Sequence, residues 1–221
     1  ALADGSHTVT VRATDGAGNT ATASATWLVD TTGPTSVSLT APAGSANVRG
    51  ASVTVSGTGS DSGSGLASLK FYYCSGASCT VAGGTQIGSP QSSSPGSVTW
   101  DTTGLADGTY TLIVRATDNV GNTTDSSTVT VNVDNTPPTQ VLSTSALSNA
   151  AGQYFNASTN TFYYNTGAGG SFTLTSVPTE SGSGLTNIVF PAISVTGFTG
   201  STKTVASPGP YTSNTYTWTT S

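Results

Sequence analysis

The sequence predicts an all-β protein built from tandem β-sandwich modules. Only 7% of the residues are charged and methionine is absent, so strong helix formers are scarce. Threonine alternates with valine, alanine or leucine along most of the chain, which is typical of half-buried strands. The segment LADGTYTLIVRATDNVGN at Leu105–Asn122 also has a near copy, LADGSHTVTVRATDGAGN, at Leu2–Asn19. One such segment cannot bury its own apolar face, so two copies imply a linear array of modules.

Residues 1–33 are predicted to be the last two strands of an upstream module. Alternation places His7, Val9, Val11 and Ala13 on one face of the first strand. The run Asp15–Asn19 then turns the chain. An isolated hairpin is marginally stable in water, so the remainder of this module is expected before residue 1.

Residues 34–137 are predicted to form one complete module. Seven short strands separated by turn signals every 8–12 residues are typical of an immunoglobulin-like Greek-key sandwich. The predicted strands are Ser36–Ala41, Ser52–Thr58, Ala67–Cys74, Thr85–Gly88, Ser97–Asp101, Thr109–Thr117 and Thr124–Val133.

Residues 138–221 are predicted to form a third module that lacks its last two strands. ESGSGL at Glu180–Leu185 matches DSGSGL at Asp61–Leu66, and TYTWTTS near the end matches SVTWDTT of the central module. An aromatic hairpin is inserted before the first match. The missing strands are those that residues 1–33 retain. We therefore expect copies of the chain to associate, with the hairpin of residues 1–33 in one copy completing the third module of another.

The charge balance argues against nucleic acid as a partner. The formal net charge is −5, and the five basic residues are scattered along the sequence. Phosphate binding requires clustered lysine and arginine. No apolar run approaches the length of a membrane-spanning helix.

Cys74 and Cys79 are predicted to form a disulfide across a loop, with two reduced thiols as the alternative. A zinc site would need two further ligands nearby. A disulfide would favour an extracellular setting.

Several segments together resemble the bacterial Ig-like repeats of large surface and secreted proteins. They are VDNTPPT, SGSDSGSGLASLKFYY, SVTWDTTGLADGTY and VRATDNVGN. The resemblance implies a stalk or spacer role, with Ca²⁺ bound between modules in some members. It also implies a corner tyrosine at Tyr110, although the inter-sheet disulfide of antibody domains is absent.

Most acidic residues fall in loops at the module ends. Counting strand directions predicts that Asp30, Asp61 and Asp118 converge at the first junction, with Asp4 approaching from the preceding strands. The analogous set at the second junction is Asp101, Asp107, Asp134 and Glu180. Carboxylates from several loops suit Ca²⁺. Alternatively, each carboxylate only hydrogen-bonds its own turn.

Five aromatic residues of the inserted hairpin form a candidate ligand surface: Tyr154, Phe155, Phe162, Tyr163 and Tyr164. Exposed rings could stack on sugars or contact protein, whereas the alternative is that they pack the core of the third module.

No catalytic motif is recognisable. His7, the one histidine, replaces the corner tyrosine of the other copy, and no GxSxG or phosphate loop occurs. We therefore expect a non-catalytic, extracellular stalk or spacer that contacts neighbouring modules and binds a glycan or protein of a cell surface. The alternative is a carbohydrate-binding accessory module of a secreted glycoside-active enzyme.

Overall fold

The computed structural model describes residues 2–147, 152–156, 158–159 and 161–220 of the 221-residue chain. The chain divides into two compact units, Ala1–Asn135 and Thr136–Ser221. Strands connected by turns and loops make up both units. Within the described residues, no helix has the length and hydropathy needed to cross a membrane.

The first unit begins with a two-stranded antiparallel hairpin, which we call the leading hairpin. Strand β1 spans Gly5–Thr14 and β2 spans Thr20–Val29. They pair without a break, from Gly5 opposite Val29 to Thr14 opposite Thr20. The turn between them is closed by Asp15, whose carboxylate accepts hydrogen bonds from the backbone of Ala17 and Asn19.

The rest of the first unit is a sandwich of two sheets, which we call the central module. One sheet has the order β3-β5-β8 and the other β4-β11-β9-β6-β7, with β10 paired to β9. The strands are β3 (Thr35–Ala41), β4 (Asn47–Val48), β5 (Val53–Ser60), β6 (Leu66–Ser75), β7 (Thr85–Gln91), β8 (Gly96–Trp100), β9 (Gly108–Asp118), β10 (Thr123–Asp125) and β11 (Val129–Val133).

Alternating residues of both sheets form the core of the central module, as the sequence pattern predicts. Val55, Leu69 and Leu112 are completely buried, and Trp100 packs edge-on against Tyr110. Both the neighbouring strand β3 and the facing sheet approach Gly57 closely, because a Cβ there would lie 2.7 Å from the Ser38 carbonyl oxygen and 3.1 Å from the Phe71 ring. This close approach explains why glycine occupies the middle of a strand there.

Two details of the central module differ from the predicted strands. The short strand β4 pairs in parallel with β11 and was not predicted. The predicted strand Thr124–Val133 is instead two strands, β10 and β11. At the break the Ser126 hydroxyl accepts a hydrogen bond from the Val114 backbone N–H, and the Ser126 N–H donates to the Val114 carbonyl oxygen.

The outer faces of the sheets carry hydroxyl pairs across neighbouring strands. In the leading hairpin Thr8 pairs with Thr26 and Thr10 with Ser24, at 2.9 and 2.8 Å between oxygens. The pairs Ser38–Thr58 and Thr40–Ser56 repeat the arrangement between β3 and β5. Such pairs stabilise neighbouring strands without charge.

The second unit contains one main sheet and two small ones. The main sheet has the order β12-β15-β21-β18-β17, with β20 paired to β15, while β13-β14 and β16-β19 are separate two-stranded sheets. The strands are β12 (Thr139–Leu147), β13 (Gln153–Asn156), β14 (Thr161–Tyr164), β15 (Gly170–Thr179), β16 (Asn187–Phe190), β17 (Ile193–Val195), β18 (Phe198–Gly200), β19 (Lys203–Ala206), β20 (Tyr211–Thr212) and β21 (Tyr216–Trp218).

The core of the second unit is an aromatic cluster. Phe172, Phe198, Tyr216 and Trp218 are buried, and Phe162 and Leu174 pack against them. The Tyr216 hydroxyl donates to the Pro191 carbonyl oxygen directly after β16. Among the described residues, this cluster has fewer members than the core of the central module.

Candidate functional site: three carboxylates at the first junction

Three aspartates meet where the leading hairpin joins the central module. Asp30 follows β2, Asp61 follows β5, and Asp118 ends β9. One carboxylate oxygen from each lies within 4.8 Å of the other two. These are the residues that strand counting placed together, so the alternating strand directions bring their loops to one end of the sandwich.

Asp118 is almost fully buried and organises its loop. Its Oδ1 accepts hydrogen bonds from the backbone N–H groups of Val120, Gly121 and Asn122, and its Oδ2 accepts one from the Asn122 side chain. Asp15 makes the corresponding backbone and side-chain bonds with Asn19 in the leading hairpin. The DxxGN pattern of the repeat therefore encodes one loop structure twice.

Asp30 and Asp61 are held by the glycine-rich loop that follows β5. Asp30 Oδ2 accepts from the Ser64 N–H at 2.6 Å, and Asp61 Oδ2 accepts from the Gly65 N–H at 2.7 Å. The Asp30 carboxylate lies so close to Gly63 that a Cβ there would overlap its oxygens. Glycine at position 63 is therefore what allows this approach.

Hydrogen bonds keep two of these carboxylates ionised. The closeness of Ser64, whose backbone N–H donates to the carboxylate, and then the bonds from Thr32 outweigh desolvation and lower the pKa of Asp30. Burial raises the pKa of Asp118, but the bonds from Asn122, Gly121 and Val120 together outweigh it and lower that pKa below 3.8. Negative charge is thus concentrated at the junction at neutral pH.

Asn122 fixes the linker to the central module, a role that sequence reasoning missed. Its side-chain amide donates to the carbonyl oxygens of Asp30 and Thr32, both at 3.2 Å, as well as to Asp118. The signal was present in the repeated DxxGN pattern, but the side chain of the equivalent Asn19 donates to Asp15 of its own loop. The partner across the junction could not be predicted from the motif.

The remaining acidic candidates of the first unit do not join this cluster, and three of them accept hydrogen bonds from other residues. Asp4 Oδ1 accepts from the N–H and hydroxyl of Thr31. Asp101 accepts from Thr103, and Asp107 accepts from the Asn135 N–H at 2.7 Å. Asp134 is buried, with 7% of its surface exposed. Asp101, Asp107 and Asp134 form no second group of three close carboxylates in the part of the first unit that the structure describes.

Glu180 belongs to the second unit, where its Oε1 accepts a hydrogen bond from the Gly182 N–H at 2.6 Å. This bond closes the ESGSG turn. Its position in that turn corresponds to that of Asp61 in the central module.

The predicted disulfide between Cys74 and Cys79 is present, with the two Cα atoms 5.3 Å apart. It links the end of β6 to the loop that leads to β7. The cysteines therefore close a local loop rather than join the two sheets.

The aromatic hairpin β13–β14 presents two different faces. Phe162 packs 4.3 Å from Phe172 between ring centroids, and Tyr164 lies against Phe198 and Trp218. Tyr154 and Tyr163 stack on each other on the opposite face, with 61% and 54% of their surfaces exposed. Beside them lies a shallow cavity of about 260 Å³, lined by Gln153, Tyr164 and their neighbours.

Models of known protein families match three stretches of the chain. A family model described as a bacterial Ig domain matches residues 36–114. Two further models, described as bacterial Ig-like domains, match residues 1–31 and, in group 3 of the family, residues 96–183. No protein with a curated description matches the chain.

Two solved structures are similar at low sequence identity. Fibronectin(III)-like modules of CbhA from Clostridium thermocellum are 23% identical with a TM-score of 0.34, covering 44% of this chain and 93% of theirs. A tetra-tandem repeat from the extending region of a large adhesion protein is 21% identical with a TM-score of 0.38. That match covers 99% of this chain, which spans about half, 49%, of the repeat structure. Models of bacterial Ig-like domains thus match residues 1–31 and 36–183, in agreement with the two-sheet sandwich observed in the central module.

Proposed function

We propose that this chain is a non-catalytic spacer segment of a secreted or surface-anchored bacterial protein, stiffened by Ca²⁺ at its first junction. The convergence of Asp30, Asp61 and Asp118 carries the proposal. A spacer can hold the domains at its two ends at a fixed separation only if its modules do not move freely about their linkers. Neighbouring domains joined by a small polar interface ordinarily move relative to each other.

The first junction restricts such motion through the linker backbone. Asn122 binds two linker carbonyl oxygens, and the side chain of Asp30 is bound by Ser64. The linker is therefore attached to two separate loops of the central module. These contacts favour a structural role for the segment.

The chemistry of the three carboxylates fits Ca²⁺. Calcium takes six to eight oxygen ligands, including carboxylates, backbone carbonyls and water. Asp30, Asp61 and Asp118 would hold the ion, and its positive charge would offset the repulsion among them. The lowered pKa values of Asp30 and Asp118 mean that binding would displace few protons at neutral pH.

Thermal unfolding in calcium and in chelator tests the proposal. A ligand that binds only the folded state raises its stability, by about 2.7 kcal/mol when its concentration is a hundred times Kd. We expect a higher Tm in calcium for the unaltered chain and no calcium response for Asp61→Asn. An unchanged Tm, or an equal response in Asp61→Asn, would refute the calcium site.

Asp125→Asn provides the matched control. Asp125 forms an ion pair with Arg115 at 2.6 Å and is not one of the three clustered carboxylates. This variant removes one negative charge from the same unit. Its Tm should respond to calcium as strongly as that of the unaltered chain.

The stacked pair Tyr154–Tyr163 supports carbohydrate binding as a second candidate function. Exposed tyrosine rings offer apolar faces to sugar rings with hydroxyl groups at their edges. Glycan-array binding by the chain, lost in Tyr154→Ala and Tyr163→Ala, would support this role. Thr161→Ala on the same hairpin is the control, and equal binding by all variants would exclude these rings as the ligand surface.

An extracellular location is part of the proposal. The Cys74–Cys79 disulfide is stable in oxidising compartments and rare in the cytosol. Fractionation of the source cells, with antibody raised against the chain, would locate it. Recovery in the cytosol would contradict the spacer role.

A further inference from the structure

The linker between the leading hairpin and the central module packs against one end of that module. It comprises residues 30–34, between β2 and β3. Asp30 accepts a hydrogen bond from the Ser64 N–H, and Asn122 donates to two linker carbonyl oxygens. Pro34, the last residue of the linker, is fully buried. The central module therefore holds the linker at its first residue, at its last and between them.

Gly33 lies against strand β10 with no space for a side chain. A Cβ there would lie 2.7 Å from Thr124 Oγ1 and 3.0 Å from the Thr123 carbonyl oxygen. The φ angle of Gly33 lies outside the left-handed region, so the lack of space rather than the backbone conformation requires glycine. We call Ser64, Asn122, Thr123 and Thr124, which make these contacts with the linker, the linker site.

A second linker of the chain has a different residue at this position. The run VDTTGP at residues 29–34 begins with the last residue of β2, and VDNTPP at residues 133–138 begins with the last residue of β11. Both have aspartate directly after the strand and proline at the end, but Pro137 stands in the position of Gly33. A proline adds a ring of carbon atoms where the first junction leaves no space for a single Cβ.

The two linkers also differ at Thr31, which corresponds to Asn135. Thr31 is exposed, and its N–H and hydroxyl donate to Asp4 of the hairpin. The difference at position 33, in contrast, falls where the linker touches β10.

Different parts of the linker site attract the linker and discriminate between linkers. The bonds to Asp30 and to the backbone carbonyl oxygens involve groups that both linkers possess, so they favour either one. The contact of Gly33 with β10 discriminates, because it leaves no space for any side chain. Specificity commonly requires such an excluding contact in addition to attractive ones.

We propose that the linker site of the central module recognises a peptide segment with glycine before its proline, and that Gly33 is the specificity-determining residue. The site accepts the linker of residues 30–34 and rejects a linker of the VDNTPP type. Modules are therefore not interchangeable along the chain, because a module with this site follows only a linker that fits it. This selectivity adds the choice of the neighbouring module to the proposed spacer role, and it does not depend on calcium.

Hydrogen exchange of the Ser64 backbone N–H, measured by NMR on the whole chain in chelator, tests the proposal. The bond from this N–H to Asp30 exists only while the linker is in its site. Gly33→Ala and Gly33→Pro should each raise the exchange rate of Ser64 about tenfold, because an overpacked contact shifts a local opening equilibrium by about that factor. Gly33→Pro carries the residue of the other linker. The chelator keeps the result independent of the calcium site.

The Val114 N–H, which donates to the Ser126 hydroxyl within the central module, is the internal reference. Its exchange should stay unchanged in both variants, which distinguishes a displaced linker from an unfolded module. Unchanged exchange of Ser64 in Gly33→Ala or in Gly33→Pro would overturn the proposal, as would an equal rise at Val114.

Two further variants test the contact itself. Gly104 has open space at its Cβ position and a φ outside the left-handed region, so Gly104→Ala is the matched control and should leave the exchange of Ser64 unchanged. Adding Thr124→Ala to Gly33→Ala removes the nearest obstructing atom and should restore part of the protection. An equal rise in Gly104→Ala, or no recovery with Thr124→Ala, would refute the role of Gly33.

Discussion

At the scale of single residues, the carboxylate of Asp118 has two structural effects. It accepts four hydrogen bonds that close the loop after β9, and these bonds keep it ionised although the residue is 2% exposed. Asn122 connects this loop to the linker. Any change in the charge of Asp118 should therefore affect both the loop and the junction.

The lowered pKa values of Asp30 and Asp118 predict loss of stability in acid. Because each pKa is lower in the folded chain than the ordinary 3.8, the unfolded chain takes up protons first as the pH falls. The stabilisation should be complete well above pH 3.8 and decline as the pH falls through the folded values. Urea unfolding in chelator from pH 7 to pH 2.5 measures it.

Asp118→Asn is the test variant for this acid response. It should be less stable than the unaltered chain at pH 7, and the difference should shrink as the pH falls. A difference that stays constant across the range would show that the Asp118 charge makes no contribution.

At the scale of elements, β6 holds the central module together. It pairs with β7 on one edge and β9 on the other, and its Leu69 and Phe71 enter the core. The Cys74–Cys79 disulfide closes the loop at its far end. The covalent link therefore acts on the connection between β6 and β7.

Replacing both cysteines with serine should destabilise the first unit by about 2 kcal/mol, the chain-entropy value for a loop this short. The unaltered chain in reductant should show the same loss in urea unfolding, and the double variant should not respond to reductant. A reductant effect on the double variant would assign the loss to another cause.

At the scale of the whole molecule, the cores of the two compact units differ in size among the described residues. The first has an extensive apolar core, and the second depends on a few aromatic rings. Independent cores of unequal size should unfold in separate transitions.

Calorimetry at low protein concentration should therefore show two transitions, with the second unit unfolding first. Leu69→Ala should lower only the upper transition and Phe172→Ala only the lower, each by about 2–5 kcal/mol, because both side chains are buried. A single transition that both variants shift equally would show that the units unfold together.

Alternation and strand direction were enough to predict the central core and the meeting of Asp30, Asp61 and Asp118. They were not enough for β4, because Asn47–Val48 is too short to show a period. The bidentate ion pair of Arg115 with Asp125 was not predicted, because it depends on β10 lying beside β9. The exposure of Tyr163 and the burial of Phe162 depend on how the hairpin packs, which sequence alone does not determine.

The hydroxyl pairs on the outer faces make the contacts between strands insensitive to salt concentration and to moderate changes in pH. Hydroxyl contacts are neutral, so salinity and moderate changes in acidity leave them unaltered, whereas exposed ion pairs weaken as salt rises. The Arg115–Asp125 pair, whose side chains are about one-third exposed, is an ion pair of this kind. Three of the charged groups that do respond to the medium, Asp30, Asp61 and Asp118, lie together at the junction. Salt and moderate changes in acidity should therefore leave the hydroxyl contacts between the strands unchanged and act on the molecule through its charged groups, including the three carboxylates at the junction.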